Sequence, residues 1–181
     1  KQNQEKAWQV IKNTNIIQIW EDAGAKINLV GSLRTGLLMK HRDIDFHIYS
    51  SPLNLTDSFQ AMARLAENPS IKRIECANLL HTAEACIEWH AWYQNEENEL
   101  WQMDMIHIRE GSRYDGYFEK VAQRISEIMT DEIRETILRL KYETPETEKI
   151  IGVEYYQAVI RDGVGIIADL RSGESNILLQ E

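Results

Sequence analysis

The chain has 181 residues, of which 43% are hydrophobic and 27% charged, a composition typical of a globular protein with a substantial core. Its length predicts one domain, or one domain with a helical extension, and no apolar run approaches the ~20 residues that a membrane span needs. The formal net charge is −9, and the acidic excess lies in the second half of the chain. Because an acidic half repels a phosphate backbone, we expect no extended nucleic acid as a ligand. The lack of a long apolar run predicts no membrane association. A cationic small molecule or a basic protein partner would be favoured.

The two cysteines, Cys76 and Cys86, have no spacing typical of a zinc site. No signal peptide is visible in the sequence. We therefore expect reduced thiols and a cytoplasmic protein.

The first half of the chain alternates helical and strand patterns. Apolar side chains near a 3.6-residue period predict helices, and short β-rich runs between turn residues predict strands. The predicted elements are a helix over residues 5–23, strands over 26–32 and 43–50, a helix from residue 59 that ends at Asn68-Pro69, and a strand over 71–80.

A hairpin is predicted next, from two β-rich runs over 86–93 and 100–108 that flank a polar loop. If residue 90 pairs with residue 104, then Glu88, His90 and Trp92 share a face with Asp104. A slip of one residue would turn them to the opposite face.

Helical stripes dominate after Gly111, and Thr144-Pro145 resembles an N-cap followed by proline at the first helical position. We therefore predict an α+β fold, in which a small mixed sheet is flanked by helices and followed by an all-helical C-terminal extension. The predicted boundary separates residues 1–110 from residues 111–181.

Two short segments carry the strongest functional signal. Gly31-Ser32 ends an apolar strand, and a turn of this kind offers N–H groups and a hydroxyl to phosphate. Asp43 and Asp45 follow at i and i+2 of the next strand, so both carboxylates point to one face and suit a divalent cation. Asp104 interrupts a later apolar strand, where an aspartate is unfavourable unless it is paired or liganded. The pattern indicates metal-assisted chemistry on a nucleoside triphosphate.

These residues resemble the signature of the nucleotidyltransferase superfamily related to DNA polymerase beta. The signature is an apolar strand ending in Gly-Ser, then Asp-x-Asp on the next strand and a third acidic residue on a later one. In this chain it reads Leu29-Val30-Gly31-Ser32, His41-Arg42-Asp43-Ile44-Asp45-Phe46 and Asp104. The His-Arg-Asp-Ile-Asp stretch also resembles small adenylyltransferases that modify aminoglycoside and lincosamide antibiotics.

The resemblance implies a catalytic core over residues 1–110 that uses ATP or another NTP with magnesium, two ions being expected. It implies that Asp43 and Asp45 are metal ligands and that Asp104 is the third ligand or the general base. Glu88 is the alternative base, and Arg42 is an alternative salt-bridge partner for Asp104. The implied nucleotide-binding residues are Gly31, Ser32, Arg34 and Arg42.

The sequence departs from the family pattern at two positions. Many members read Gly-Ser-Arg, whereas Arg34 stands one place later in this chain. His47 stands where an apolar residue is usual. Both departures bear on which side chains reach the phosphates.

We therefore predict a magnesium-dependent enzyme that moves NMP, AMP first among the candidates, from NTP to a hydroxyl of a small and possibly cationic acceptor. Two other hypotheses remain open. One is a non-catalytic module that binds a protein partner, as antitoxins with this fold do, and the other is nucleotidylation of a protein hydroxyl.

Overall fold

The computed structural model describes residues 2–145, 147–148 and 150–165. Its strands are β1 (Lys26–Val30), β2 (Asp43–Ser50), β3 (Ile71–Asn78), β4 (Cys86–Gln94) and β5 (Leu100–Arg109). Its helices are α1 (Gln2–Thr14), α2 (Ile16–Asp22), α3 (Gly31–Thr35), α4 (Leu55–Ala66), α5 (Tyr117–Ile128), α6 (Asp131–Glu143) and α7 (Gly152–Tyr156), which continues as a π-helical turn over Gln157–Arg161. None of the helices in this part of the chain is long and apolar enough to cross a membrane.

The five strands form one mixed sheet in the order β1-β2-β5-β4-β3. Strands β2 and β5 are parallel, and the other neighbours are antiparallel. The predicted α+β class with a small mixed sheet is confirmed. Beyond β5, the described residues contain helices and turns and no strand.

One face of the sheet packs against α1, α2 and α4. Alternate strand residues such as Phe46 and Met105 point to this face and meet Trp20 and Leu65 in the main core. All four side chains are at most 1% exposed. Burial of this apolar face leaves the opposite face free to carry polar side chains.

The opposite face is partly covered by the C-terminal helices. These helices pack around a second cluster of buried side chains, which includes Leu37 from the loop after α3. Glu119 of α5 fastens this layer to the sheet, since its carboxylate accepts hydrogen bonds from Asn28 Nδ2 and Tyr49 Oη, each at 3.0 Å. The division at residue 110 stays a prediction.

Two helix predictions are corrected by the structure. The helix predicted over 5–23 is two helices, because Asn15 adopts a left-handed conformation with φ 54° between them, a conformation that asparagine tolerates. Thr144 is not an N-cap but the C-cap of α6, where its hydroxyl donates to the Leu140 carbonyl at 2.8 Å. The third predicted helix therefore begins at Gly152 and not at Pro145.

Candidate active site

Three carboxylates meet at the centre of the polar sheet face. Asp43 and Asp45 are two residues apart on β2, so they share this face. The parallel pairing of β2 with β5 sets Asp45 beside Asp104 and Asp43 beside Gln102. The three aspartates identified in the sequence are thus brought together by the pairing of two strands that are distant in the chain.

Gly31 closes one side of this group. Val30 pairs with Asp45, and the chain then turns into α3 with Gly31 at φ +67°, in the left-handed region. A Cβ at Gly31 would lie 2.7 Å from Asp45 Cγ, which is closer than real contacts allow. Only glycine therefore fits at this position. Ser32 follows in the first turn of α3 and lines the same cleft.

The negative charges of the three carboxylates repel one another. Burial, and then repulsion from Asp43 and Asp104, raises the pKa of Asp45 to about 7. The Oδ1 atom of Asp43 is buried and has no hydrogen-bond partner among the described residues. A buried carboxylate oxygen without a hydrogen-bond partner, beside two other carboxylates, suits the binding of a cation.

These oxygen donors fit magnesium, which prefers carboxylates and needs two or three of them beside its waters. Within the described part of the chain, no three or more His, Cys, Asp or Glu side chains are arranged so that they could together hold a metal ion. The fit therefore rests on the donor set and on the unsatisfied oxygen of Asp43.

Asp104 is held from its other side by two donors. His90 Nδ1 lies 2.6 Å from Asp104 Oδ1, and Gln102 Nε2 donates to the same oxygen at 2.7 Å. Residue 90 pairs with residue 104, one of the two registers that the sequence left open, and this pairing puts Glu88, His90 and Trp92 on the face of Asp104. Glu88 stands opposite Ile106, so the hairpin brings His90 rather than Glu88 to Asp104.

A cleft of about 650 Å³ is lined by Asp43 and Asp45. Its floor is formed by β2 and the Gly31-Ser32 turn, and its walls are largely apolar side chains of the helical region. The residues from the C-terminal helices that line it include Phe118, Val121, Ile125, Lys141 and Tyr156.

Lys141 and Tyr156 also line the cleft, although the sequence analysis assigned neither of them to the site. Burial lowers the pKa of Lys141, while the charges of Asp43 and Asp45 raise it. Its ammonium donates to the Leu37 carbonyl at 2.9 Å. Burial raises the pKa of the Tyr156 phenol, which lies close enough to Asp45 and Asp43 to feel their charge. Neither residue belongs to a motif, because they enter the site from helices distant in sequence.

The two arginines predicted to contact phosphate, Arg34 and Arg42, do not line the cleft. Arg34 does not line this cleft but a second cavity, which it shares with Lys26 and Gln123. Arg42 is ion-paired with Glu99 at 2.9 Å, so the suggested salt bridge between Arg42 and Asp104 is not formed. The roles of Arg34 and Arg42 in nucleotide binding stay predictions.

His47, the second departure from the family pattern, lines the cleft and is buried. Its ring packs edge-on against Phe118 with the centroids 5.0 Å apart. Its Nδ1 lies 3.8 Å from Glu119 Oε2. Burial alone would raise the pKa of Glu119, but the nearby His47 imidazole and the hydrogen bonds from Asn28 and Tyr49 hold it at about 2. An ionised carboxylate thus faces His47.

No protein-family model and no curated protein matches the sequence. Solved structures do match it. The structure of Cid1 poly(U) polymerase with MgGTP bound superimposes with a TM-score of 0.62 at 14% identity, over 88% of this chain and 50% of that one. The chain has the nucleotidyltransferase fold.

Other solved nucleotidyltransferases also superimpose on this chain. A cytoplasmic RNA terminal U-transferase matches with a TM-score of 0.59 at 12% identity, covering 88% of this chain and 48% of its own. Cid1 in complex with its short product ApU matches with a TM-score of 0.56 at 13% identity, covering the same shares. The chain thus spans about half the length of the structures it matches.

The comparison corrects the prediction of partners. The expectation of a small-molecule acceptor, with extended nucleic acid excluded, is wrong because the structural neighbours are enzymes that act on RNA. The physical reason is that net charge averages over the whole surface, whereas a ligand responds to the local field. The narrower likeness to antibiotic adenylyltransferases is not confirmed by these structures.

Proposed function

We propose that this protein catalyses magnesium-dependent transfer of NMP from an NTP to a hydroxyl of an RNA acceptor. The observation that carries the proposal is the arrangement of Asp45 beside Asp104 in parallel strands, with Asp43 on the same face. Gly31 approaches Asp45 closely, and both residues line a cleft of about 650 Å³.

The carboxylates of Asp43, Asp45 and Asp104 would hold magnesium, two ions being expected. Bound there, magnesium would neutralise charge on the triphosphate and favour ionisation of the attacking hydroxyl. In nucleotidyl transfer most of the catalytic work is positioning and charge stabilisation, so a small set of fixed carboxylates is enough.

Side chains and backbone groups of this chain would bind the phosphates, hold the base and accept the proton. Ser32 and the backbone beside Gly31 would bind the terminal phosphates, and the Lys141 ammonium would add a positive charge beside them. The apolar walls, Phe118 and Val121 among them, would hold the base and exclude water. Asp104 would take the proton of the attacking hydroxyl, with His90 fixing the orientation of its carboxylate.

RNA is the proposed acceptor class because the structural neighbours are named as an RNA terminal U-transferase and a poly(U) polymerase. The base preference is left to measurement, since neighbours were solved with MgGTP, with Mg 3′-dATP and with a UTP analogue. ATP remains the first nucleotide to try.

The test is an extension assay with each of the four labelled NTPs, a single-stranded oligoribonucleotide, and magnesium or EDTA. We expect magnesium-dependent extension by the wild type and none by Asp45→Asn. The matched control is Asp22→Asn, an exposed aspartate ion-paired with Arg64 on the other side of the molecule. This variant should retain full activity.

Thermal shift separates the remaining hypotheses. A nucleotide at 100 times its dissociation constant stabilises a fold by about 2.7 kcal/mol, so binding raises Tm by several degrees. A magnesium-dependent shift without RNA extension, together with labelling of protein in a lysate, would indicate protein nucleotidylation. No shift with any nucleotide would contradict the proposal and favour a non-catalytic module that binds a protein.

A further inference from the structure

The polar face of the sheet continues beyond the carboxylates toward the β3 edge. Across this face, one row of neighbouring residues runs from Asp43 through Gln102 and Trp92 to Arg73. At the usual spacing of ~4.8 Å between strands, Trp92 lies about 10 Å from Asp43. A nucleotide whose base contacts Trp92 could therefore place its hydroxyl near the carboxylates.

Trp92 and Arg73 form a flat, cationic pair on this row. The Arg73 guanidinium lies over the Trp92 ring, 4.6 Å from its centroid. The His90 ring is 6.3 Å from the Trp92 ring, and His90 also contacts Asp104. Trp92 is half-buried, and the side chain of Arg73 is 62% exposed although it also pairs with Glu75. The pair is thus accessible from solvent, and His90 connects it to Asp104, the third carboxylate.

The position of the cleft limits where an acceptor can approach. Gly31, Ser32 and Lys141 lie on the β1 and helical side of Asp43 and Asp45, so the triphosphate would occupy that side. In an in-line displacement, the attacking oxygen stands opposite the leaving pyrophosphate. The attacking hydroxyl must then come from the side of Asp104, where β4 and β3 continue the sheet.

We propose that Trp92 and Arg73 form the acceptor site, on which the terminal base of a single-stranded RNA stacks while its 3′-hydroxyl reaches Asp104. This inference rests on the proposed function and specifies where its acceptor binds. Unpaired RNA bases commonly stack on aromatic rings and guanidinium planes, and arginine also binds phosphate. The pair would bind RNA with little base preference, because every base has a stacking face.

In the reaction, the acceptor's 3′-oxygen forms a bond to the α-phosphorus of the NTP, and the bond to the pyrophosphate oxygen breaks. The hydroxyl proton passes to Asp104, and pyrophosphate leaves with the electron pair of the broken bond. Trp92 and Arg73 take no part in these steps and act by binding the acceptor.

The experiment makes two measurements on each variant. One is the binding of a fluorescein-labelled oligoadenylate of about 15 nucleotides, a length that covers known single-strand site sizes. The other is the thermal shift with magnesium and NTP. The variants are Trp92→Ala, Trp92→Phe and Arg73→Ala. The controls are Trp8→Ala and Lys72→Ala, which alter an exposed tryptophan and an exposed neighbouring cation.

Loss of a stacked base should weaken RNA binding by Trp92→Ala about 5- to 150-fold. Trp92→Phe should recover most of that loss, Arg73→Ala should weaken RNA binding, and the magnesium–NTP shift should stay unchanged in all three variants. Trp8→Ala and Lys72→Ala should match the wild type. Unchanged RNA affinity in both Trp92→Ala and Arg73→Ala would overturn the acceptor site.

Absence of oligoadenylate binding by the wild type would also overturn it. The proposed nucleotide site fails by a different result, namely a wild type that shows no magnesium–NTP shift. The two failures are therefore distinguishable.

Discussion

Asp45 on β2 lies directly beside Asp104 on β5, in neighbouring parallel strands at the middle of the sheet. Two carboxylates at this spacing repel each other, and Asp43 adds a third charge on the same face. The arrangement costs stability unless a cation is bound, and it accounts for the elevated pKa of Asp45.

Gly31→Ala should abolish activity and lower Tm more than Gly24→Ala. Both glycines have positive φ, +67° and +78°, so each alanine carries a left-handed strain of about 1–2 kcal/mol. The added Cβ at Gly31 also meets the Asp45 carboxylate, whereas Gly24 has no atom within 4 Å. Thermal melts of both variants measure the difference, and equal losses of Tm would contradict the close approach.

Without magnesium, the free energy of unfolding should fall as the pH rises from about 4 to about 7. In this window the folded protein keeps a proton on Asp45 that the unfolded chain, with an ordinary pKa of 3.8, has already lost. The rise in the pKa of Asp45 from 3.8 to about 7 corresponds to a loss of about 4 kcal/mol in the free energy of unfolding.

Asp45→Asn should remove this loss and be more stable than the wild type near pH 8 in EDTA. Magnesium should stabilise the wild type at the same pH and leave Asp45→Asn little changed. Melts at several pH values, with EDTA or magnesium, measure both effects. An unchanged pH slope in Asp45→Asn would show that another group causes it.

His90→Ala should lower kcat by about 10- to 100-fold and leave the affinity for magnesium–NTP unchanged. The imidazole orients Asp104 through the 2.6 Å contact, and loss of such outer partners commonly has an effect of this size. His81→Ala, which alters an exposed loop histidine, is the matched control. Steady-state kinetics separate kcat from KM, and a change confined to KM would contradict a positioning role.

Lys141→Met should destabilise the protein most where Asp45 is ionised. The buried ammonium offsets the charges of Asp43 and Asp45, so its removal costs most stability when both carboxylates are charged. The loss should shrink near pH 5, where Asp45 holds a proton. Denaturant melts at the two pH values measure it. Lys120→Met, an exposed lysine on α5, should show no such dependence.

Much of the local structure could be predicted from the sequence because it depends on neighbouring residues. The alternation along Asp43–Ser50 gave the bounds of β2, and the polar loop gave the hairpin of β4 with β5. The helix ends were harder. Thr144-Pro145 has residue types that suit either end of a helix, and the packing of α6 decided that it ends one.

Arg34 illustrates a further limit of sequence reasoning. A shift of one residue in a helix turns a side chain by about 100°, so an arginine one place late in α3 faces another cavity. The family pattern could supply the residue type near the turn but not its direction.

The sequence by itself determined the α+β class, the strand that carries Asp43 and Asp45, and the glycine turn before it, since these follow from local spacing and backbone preference. Only the tertiary structure decided which distant residues complete the site. Asp104 joins Asp45 through parallel strand pairing, His90 joins Asp104 through the hairpin register, and Lys141 enters from a packed helix. These contacts depend on how whole elements pack, which no short stretch of sequence specifies.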